Sequence, residues 1–492
     1  MNVLLLYPEF PDTFWSFKHA LKFIHKKSQS PPLGLLTIAA MLPLDWEKRL
    51  VDLNISNLTD HDLVWADCAL ISAMAVQRES AQYLIDCCKN AGLTIIAGGP
   101  LFTYEHEQFC EVDHFVLNEG ELTLPPFLED FQAGRARRVY QTTEFADISQ
   151  TPVPMWELLD LKYYASMSIQ FSRGCPFQCE FCNVTALLGH KIRTKTTRQI
   201  IAELDALYAE KWRSSVFFVD DNFICNKTYL KNDLLPALIE WRQDKPRITF
   251  FTEASINLAD DDQLMWLMAE AGFYSVFIGI ETPDEESLIE CSKKQNQNRD
   301  LLEDVKRIHR AGLQVQGGFI VGFDNDTAAI FQKQIDFIQK SGIVTAMVGL
   351  LQALPGTRLY KRLQLEERLL GGISGNNVAA ETNIVPTMGL DALQEGYKAI
   401  LCHIYSSEYY YKRVKTFLKE YNPPKIKTRL SFQHKMAFFR ASLYLGIIGK
   451  DRVQYWRLIW WTQFHRPRLV PQAVTLAIYG YHFAKVCKLT IL

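Results

Sequence analysis

The sequence predicts an α/β protein with two successive parallel sheets and a helical carboxyl-terminal region. Strand and helix patterns alternate over residues 1–140, and the alternation resumes at Ser168 after a proline-rich stretch. Such alternation is typical of doubly wound parallel sheets, because helices cross over between neighbouring strands. Beyond about Thr387 the apolar residues recur at helical spacing only, which predicts a helical extension.

Composition indicates a globular protein of about two to four domains. The chain has 492 residues, of which 48% are hydrophobic, and its net charge of −2 gives no support for nucleic-acid binding. The amino terminus lacks the features of a signal peptide, and no apolar run approaches the length of a membrane span. Eight of the 11 cysteines are scattered, which favours a reducing cytosol and a cytoplasmic location.

Five strands are predicted in the first sheet, at residues 3–7, 49–52, 68–72, 94–97 and 114–117, with a helix at 79–90. A Rossmann-like or flavodoxin-like sheet of this kind binds ligands beyond the carboxyl ends of its strands. Glycines at those ends allow a large ligand to approach the backbone closely. The candidate ligand contacts there are Phe10, Ser72, Met74, Gln77, Gly98, Gly99, Pro100, Glu119 and Gly120.

A proline-rich joint at residues 151–154 separates the two sheets, and a short helix is predicted at 155–161. Six strand–helix units follow, with strands at 168–172, 216–220, 248–254, 275–280, 314–321 and 345–351 and helices at 197–208, 260–271, 301–311 and 328–341. Reactive groups are expected at the carboxyl ends of these strands. The predicted boundaries are 1–140, 141–165, 166–387 and 388–492.

Three cysteines at C-x3-C-x2-C spacing, Cys175, Cys179 and Cys182, follow the first strand of the second sheet. Three thiolates can hold three corners of a [4Fe-4S] cube and leave the fourth iron open, whereas a structural zinc site takes four ligands. No fourth ligand lies nearby in the sequence, which disfavours zinc. An aromatic residue, Phe181, directly precedes the third cysteine.

This motif resembles the cluster loop of the radical SAM superfamily, in which the open iron binds S-adenosylmethionine (SAM). The resemblance implies a partial (β/α)6 barrel with SAM at the carboxyl ends of its strands. It also implies that Phe181 lies against the adenine. The further SAM contacts implied are Asp221, Glu253, Glu281, Gly318, Gly322 and Leu354. A magnesium site at Asp220 and Asp221, and a phosphate loop at residues 317–318, are weaker alternatives.

The first domain resembles the cobalamin (B12)-binding domain of B12-dependent radical SAM enzymes. Many cobalamin domains carry a histidine soon after the first strand, whereas His19 and His25 come too late here. The resemblance therefore implies base-off cobalamin without a histidine ligand. The alternative is a degenerate domain that binds nothing.

The helical region, predicted at 390–406, 408–421 and as two or three helices within 430–486, is rich in aromatic residues and arginine. It resembles the extension found in relatives of hopanoid methylases and bacteriochlorophyll-modifying enzymes. Helices packed on the barrel explain it most simply. Tryptophan and arginine also suit peripheral contact with the inner face of a membrane or a cover over a lipid-like substrate.

The resemblance implies a cobalamin-dependent radical SAM methyltransferase acting on an unactivated carbon of a lipid-like or tetrapyrrole-like small molecule. In that family a 5′-deoxyadenosyl radical removes hydrogen, the substrate takes methyl from methylcobalamin, and flavodoxin or ferredoxin donates electrons. The alternatives are a radical oxidase or cyclase without methyl transfer, a cobalamin- or redox-sensing protein, and a tRNA-modifying enzyme. The last is disfavoured by the neutral charge.

Overall fold

The computed structural model describes residues 1–376, 379–424 and 432–491. Residues 430–431, at the start of the last predicted helical region, lie outside the described residues. The predicted α/β class is confirmed, because two six-stranded sheets, each with all strands parallel, dominate the described chain. No helix of the described ranges has the length and apolar character needed to cross a bilayer.

The first sheet has the strand order β2-β1-β3-β4-β5-β6. The order reverses beside β1, and such a reversal creates a crevice at the carboxyl edge. Its strands are β1 (Asn2–Tyr7), β2 (Glu47–Asp52), β3 (Cys68–Ser72), β4 (Thr94–Gly98), β5 (His114–Val116) and β6 (Val139–Tyr140). Its helices are α1 (Lys18–Leu21), α2 (Leu33–Met41), α3 (Asp60–Trp65), α4 (Arg78–Asn90), α5 (Pro100–Glu105) and α6 (Gly120–Gln132). The prediction missed β6, which is too short to show an alternating pattern.

The second sheet has the order β14-β13-β12-β11-β10-β7, so each strand lies beside its predecessor, as in a (β/α) barrel that stays open. Its strands are β7 (Met167–Ile169), β10 (Ser215–Phe218), β11 (Thr249–Glu253), β12 (Phe273–Glu281), β13 (Gln314–Val321) and β14 (Ala346–Leu350). Between β7 and β10 lies an antiparallel ribbon of β8 (Ser172–Arg173) and β9 (Arg193–Thr194). The helices are α7 (Val184–Leu188), α8 (Thr197–Ala209), α9 (Lys227–Tyr229), α10 (Leu235–Arg242), α11 (Asp262–Ala271), α12 (Glu285–Glu290), α13 (Leu301–Arg310), α14 (Ala329–Ser341) and α15 (Arg358–Leu365).

Two local predictions are wrong. The strand predicted at 168–172 is divided into β7 and β8, because the backbone N–H groups of Phe171 and Ser172 leave the sheet and donate to the carboxylate of Asp220. The helix predicted at 155–161 is replaced by two 3-10 turns, Trp156–Leu158 and Leu161–Tyr163. So short a segment forms too few helical bonds to offset the cost of nucleation.

Five helices end the described chain and form a layer beside the second sheet, the first of them against β14 and the later ones mainly against each other. They are α16 (Leu390–Ile404), α17 (Ser407–Glu420), α18 (Phe432–Leu443), α19 (Arg452–His465) and α20 (Val470–Ile491), with a π-helical turn at Tyr444–Ile448. The loop after β1 joins this layer, since Phe14 stacks on Phe483 at 4.2 Å and its carbonyl lies 3.0 Å from Nε2 of His482. One large core therefore unites the barrel, the carboxyl-terminal helices and this loop.

Candidate active site between the two sheets

The three cysteines lie in the loop that joins β8 to β9. The loop turns sharply at Gly174, where φ is +94° and an added Cβ would lie 2.7 Å from the carbonyl oxygen of Lys191. The Cys175 N–H then donates to the carbonyl of Gly189 at 3.2 Å. Asp220, fully buried, fixes the strand entering the loop by accepting from the backbone of Phe171 at 3.0 Å.

Two ion pairs fasten this ribbon to the edge of the first sheet. Arg193 makes a bidentate pair with Glu119 at 2.6 and 2.7 Å, and Arg173 makes one with Glu121 at 2.8 and 3.0 Å. All four side chains are at most 14% exposed, so water weakens these pairs little. The carboxylates flanking Gly120 thus hold both ends of the cysteine loop.

The surroundings of the thiols suit a cluster. Nε2 of Gln295 lies 3.6 Å from Sγ of Cys179, and the Lys293 ammonium is nearby. Burial raises the pKa of Cys182 to about 12, whereas a hydrogen bond from Cys225 lowers the pKa of Cys175. Binding of iron requires deprotonated thiols, and the cation and the amide stabilise that form.

A cube differs from a single metal ion in the geometry that it requires. Among the described residues no three histidine, cysteine, aspartate or glutamate side chains converge as ligands of a single ion. Each thiolate of a cube binds a different iron, so such convergence is not required. The donor set of three cysteines, with one cation and one amide beside it, fits a [4Fe-4S] cluster.

The acidic SAM candidates lie at the same carboxyl edge as the cysteine loop. Asp221 is exposed just after β10, and Glu253 is half-buried at the end of β11. Burial, followed by the nearby carboxylates of Asp221 and Asp220, raises the pKa of Glu253 to about 8. Glu281 ends β12 with a positive φ of 62° and binds Nζ of Lys293 at 2.6 Å. Burial works to lower the pKa of Lys293, but the Glu281 carboxylate and the thiols raise it overall.

The remaining SAM candidates give this edge its apolar side. Phe181 packs beside Phe323 with ring centroids 6.3 Å apart. Gly318 lies so close to Phe277 that an added Cβ would be 2.7 Å from its ring. Gly322, with φ of +108°, and the half-buried Leu354 follow β13 and β14.

The cobalamin candidates all lie at the carboxyl edge of the first sheet. At Gly99 φ is +89°, and an added Cβ would lie 2.6 Å from Oγ of Ser72. Met74 is 48% exposed, whereas Gln77 is buried and binds the carbonyl of Pro8 at 2.6 Å. The other candidates are Phe10, Gly98, Pro100, Glu119 and Gly120. Both carboxylate oxygens of Glu119 already have protein partners, namely the Arg193 guanidinium and the Ala146 N–H.

The two carboxyl edges face each other. Tyr104, on α5 beside the first sheet, lies close to Gly356, in the loop after β14 of the second sheet, where an added Cβ would be 3.4 Å from the tyrosine ring. Its hydroxyl is buried without a hydrogen-bond partner in the described chain and lies near Cys182; burial raises its pKa to about 12. An orphaned polar atom between the edges fits a site that a bound group completes.

Sequence reasoning missed Tyr104, Lys293, Gln295 and the arginines of the ribbon. Arg173, two residues before the cysteine motif, is the one with a visible signal. Lys293 and Tyr104 lie in irregular or short helical segments, where nothing local marks them.

Comparison with known proteins identifies the family. Residues 169–338 match the radical SAM superfamily, and residues 357–491 match a domain of unknown function (DUF4070). The chain is 33% identical to the hopanoid C-2 methylase of Rhodopseudomonas palustris, over 93% of this chain and 88% of that protein. The chain belongs to the radical SAM superfamily.

This radical SAM enzyme therefore uses a [4Fe-4S] cluster and SAM. It is also 40% identical to an uncharacterised methyltransferase of Synechocystis, over 98% of this chain and 91% of that protein. Its fold is similar to that of OxsB, a cobalamin-dependent SAM radical enzyme, with a TM-score of 0.64 at 15% identity over 100% of this chain and 79% of OxsB. TsrM, a radical SAM methyltransferase from Kitasatospora setae, gives a TM-score of 0.57 at 16% identity over 74% of this chain and 76% of TsrM.

Proposed function

We propose that this protein is a cobalamin-dependent radical SAM C-methyltransferase whose substrate is a polycyclic, hopanoid-like lipid. The side chains on the inner face of the second sheet support this choice of substrate. Neighbouring strands project four half-buried apolar side chains to the same side as Glu253, namely Phe217, Phe251, Phe277 and Met347. On the opposite side of the same strands Phe218, Phe250 and Phe273 are fully buried core.

The inner face is lined in a way that suits rigid hydrocarbon. Phe217 stacks on Phe251 at 4.7 Å with an interplanar angle of 5°. Trp15, from the loop after β1, contacts Phe277 edge-on at 5.4 Å and donates through Nε1 to Sδ of Met347 at 3.0 Å. Apolar side chains that keep part of their surface open favour an apolar ligand in that space.

The domain assignment is part of the proposal. Residues 1–140 bind cobalamin, 141–165 link, 166–387 form the radical SAM barrel, and 388–492 form the helical extension. The exposed Met74 supports cobalamin in the crevice, and the buried, unpartnered hydroxyl of Tyr104 would contact it. His19 packs at 5.6 Å from His482 rather than at this edge, which supports the base-off form without histidine.

The chain's own residues hold and orient what the cofactors act on. When bound, the cluster and SAM supply a radical that removes hydrogen from an unactivated carbon, and cobalamin supplies the methyl group. Glu253 and Glu281 would accept hydrogen bonds from SAM, Lys293 would balance the thiolate charge, and Phe181 would cover the adenine. The aromatic inner face would exclude water from the reacting carbon. A flavodoxin or ferredoxin would donate the electrons.

Labelled SAM tests the proposal. The anaerobic protein, loaded with cluster and cobalamin, is incubated with SAM carrying a trideuterated methyl group, a hopanoid lipid and reduced flavodoxin. We expect 5′-deoxyadenosine together with a lipid product containing all three deuteriums. Deoxyadenosine with an oxidised, unlabelled lipid would instead support the oxidase or cyclase alternative. Absence of SAM cleavage would contradict the proposal.

A further inference from the structure

The last 60 described residues carry a charge unlike that of the whole chain. Residues 432–491 contain nine lysines and arginines but a single acidic residue, Asp451, whereas the full chain has a net charge of −2. The basic residues are Lys435, Arg440, Lys450, Arg452, Arg457, Arg466, Arg468, Lys485 and Lys488. The positive charge is therefore concentrated in α18, α19, α20 and the turns between them, and the remainder of the chain is acidic.

The same region exposes large apolar side chains in two stripes. Along α18 and the π-helical turn, Phe439 is 63% exposed and Ile447 is 63% exposed, while the residues facing inward are buried. Along α19, Val453, Trp460 and Phe464 are exposed by 56%, 56% and 77%, at helical spacing. Single exposed apolar residues are ordinary, but a contiguous set marks an interaction surface.

The two stripes form one surface. Nε1 of Trp456 donates to the carbonyl of Gly446 at 2.9 Å and ties α19 to the π-helical turn. A shallow groove beside this bond is lined by Gly446, Arg452, Val453, Trp456, Arg457 and Trp460. Trp460 continues the row by stacking against Phe464 at 6.1 Å. We name this surface, with its exposed apolar side chains and the exposed cations Lys435, Lys450, Arg452 and Arg457, the aromatic–basic face.

We propose that the aromatic–basic face docks on an anionic lipid bilayer. Aromatic and aliphatic side chains enter the interface between headgroups and acyl chains, while lysine and arginine bind anionic headgroups. RNA would match the cations but not the exposed aliphatic residues such as Ile447, Ile448 and Val453. This inference rests on the proposed function in one respect, since a membrane would be the source of the lipid substrate.

The surface is also connected to the inner face of the barrel. Arg440, on α18, donates to the carbonyl of Phe23 at 2.8 Å. The loop before that residue carries Trp15, which lines the inner face, and α20 packs on it through His482 and Phe483. A protein docked through this face would hold the loop that borders the substrate space next to the bilayer.

Vesicle flotation of the full-length protein tests the proposal without any need for activity. Vesicles of phosphatidylcholine with about 30% phosphatidylglycerol are compared with pure phosphatidylcholine. The test variant combines Phe439→Glu, Ile447→Glu and Trp460→Glu. The matched control places the same three charges elsewhere on exposed apolar residues, as Leu44→Glu, Val64→Glu and Trp266→Glu, which are 97%, 87% and 58% exposed.

We expect the wild-type and control proteins to float with anionic vesicles, and the test variant to bind them at least about tenfold more weakly. Binding should fall as salt is raised, because the cations are exposed. Insertion should also shift the tryptophan emission to shorter wavelength on binding. We expect Trp460→Phe to keep part of this shift and the triple variant to lose it. Equal binding to pure phosphatidylcholine, equal loss in the control, or binding to RNA but not to vesicles would overturn the proposal. Unchanged SAM cleavage without lipid in the test variant separates failure of docking from failure of the proposed reaction.

Discussion

The two sheets turn their carboxyl edges toward each other, and the two edges are built differently. The edge of the second sheet carries reactive side chains: three cysteines, several carboxylates and a lysine that is 12% exposed. The edge of the first sheet carries mainly glycine, backbone and one exposed methionine. We propose that the second sheet supplies the reactive groups, whereas the first sheet supplies the surface on which a large cofactor binds. Glu119 and Glu121 are the exceptions, and they hold the reactive loop itself.

The strongest test of this division is Cys179→Ala. We expect complete loss of cluster iron and of SAM cleavage, because one corner of the cube loses its ligand. Cobalamin binding should persist, since the first sheet keeps its own edge. The checks are iron content and bound cobalamin, with the exposed Cys110→Ala as the control. Loss of cobalamin together with iron would contradict two separable sites.

Arg193→Met tests the ion pairs that connect the cysteine loop to the first sheet. This change leaves Glu119 buried without its bidentate partner, which costs about 3–5 kcal/mol of unfolding free energy. We expect a clear fall in Tm and lower iron content, because the end of the cysteine loop is released. Arg135→Met removes the exposed pair with Asp130 and should change Tm little. A wild-type iron content in Arg193→Met would show that this ion pair does not position the cysteine loop.

The contact between the loop after β1 and α20 predicts an acid dependence. Burial lowers the pKa of His482 to about 4, so its folded-state pKa lies below the usual value of 6.5. The unfolded chain therefore binds more protons between those values, and stability falls as the pH decreases from 6.5 to about 4. The loss is up to about 3 kcal/mol. Unfolding followed by circular dichroism at pH 7.5 and 5 should show a smaller acid loss for His482→Gln, but the wild-type loss for the exposed His61→Gln.

Gly99→Ala tests the packing of the cobalamin candidates at the carboxyl edge of the first sheet. The new Cβ would lie 2.6 Å from Oγ of Ser72, and φ of +89° with ψ of 179° suits glycine alone, at a cost of about 1–3 kcal/mol. Cobalamin content should fall, because the displaced Ser72 is itself a candidate contact, while iron content stays near that of the wild type. Gly92→Ala, at φ of +74° with open space around it, controls for backbone strain alone. Undiminished cobalamin in Gly99→Ala would remove this glycine from the site.

The smallest effect is expected at the inner face of the barrel. Phe251→Ala removes one ring of the stacked pair with Phe217, and we expect KM for the lipid to rise about tenfold, the equivalent of about 1.4 kcal/mol. SAM cleavage without lipid should remain unchanged. An unchanged KM would place the substrate elsewhere.

The sequence predicted most of the second sheet well because its strands and helices are long and regular; the bounds predicted for β13 match the structure at both ends. The cysteine ligands were predictable because their spacing is local. Lys293, Tyr104 and the pairing of Arg193 with Glu119 were not, since these contacts join residues far apart in the chain. The division of the first barrel strand also depended on a distant residue, Asp220.

The cofactor content of the protein purified without oxygen tests whether two cofactors are held at the facing edges of the sheets. We expect about four irons and one cobalamin per chain, with 5′-deoxyadenosine formed from SAM under reductant. Of the two cofactors, Cys179→Ala should lose only the iron and Gly99→Ala should lower only the cobalamin. A protein that holds the cluster and cleaves SAM but never retains cobalamin would contradict the claim.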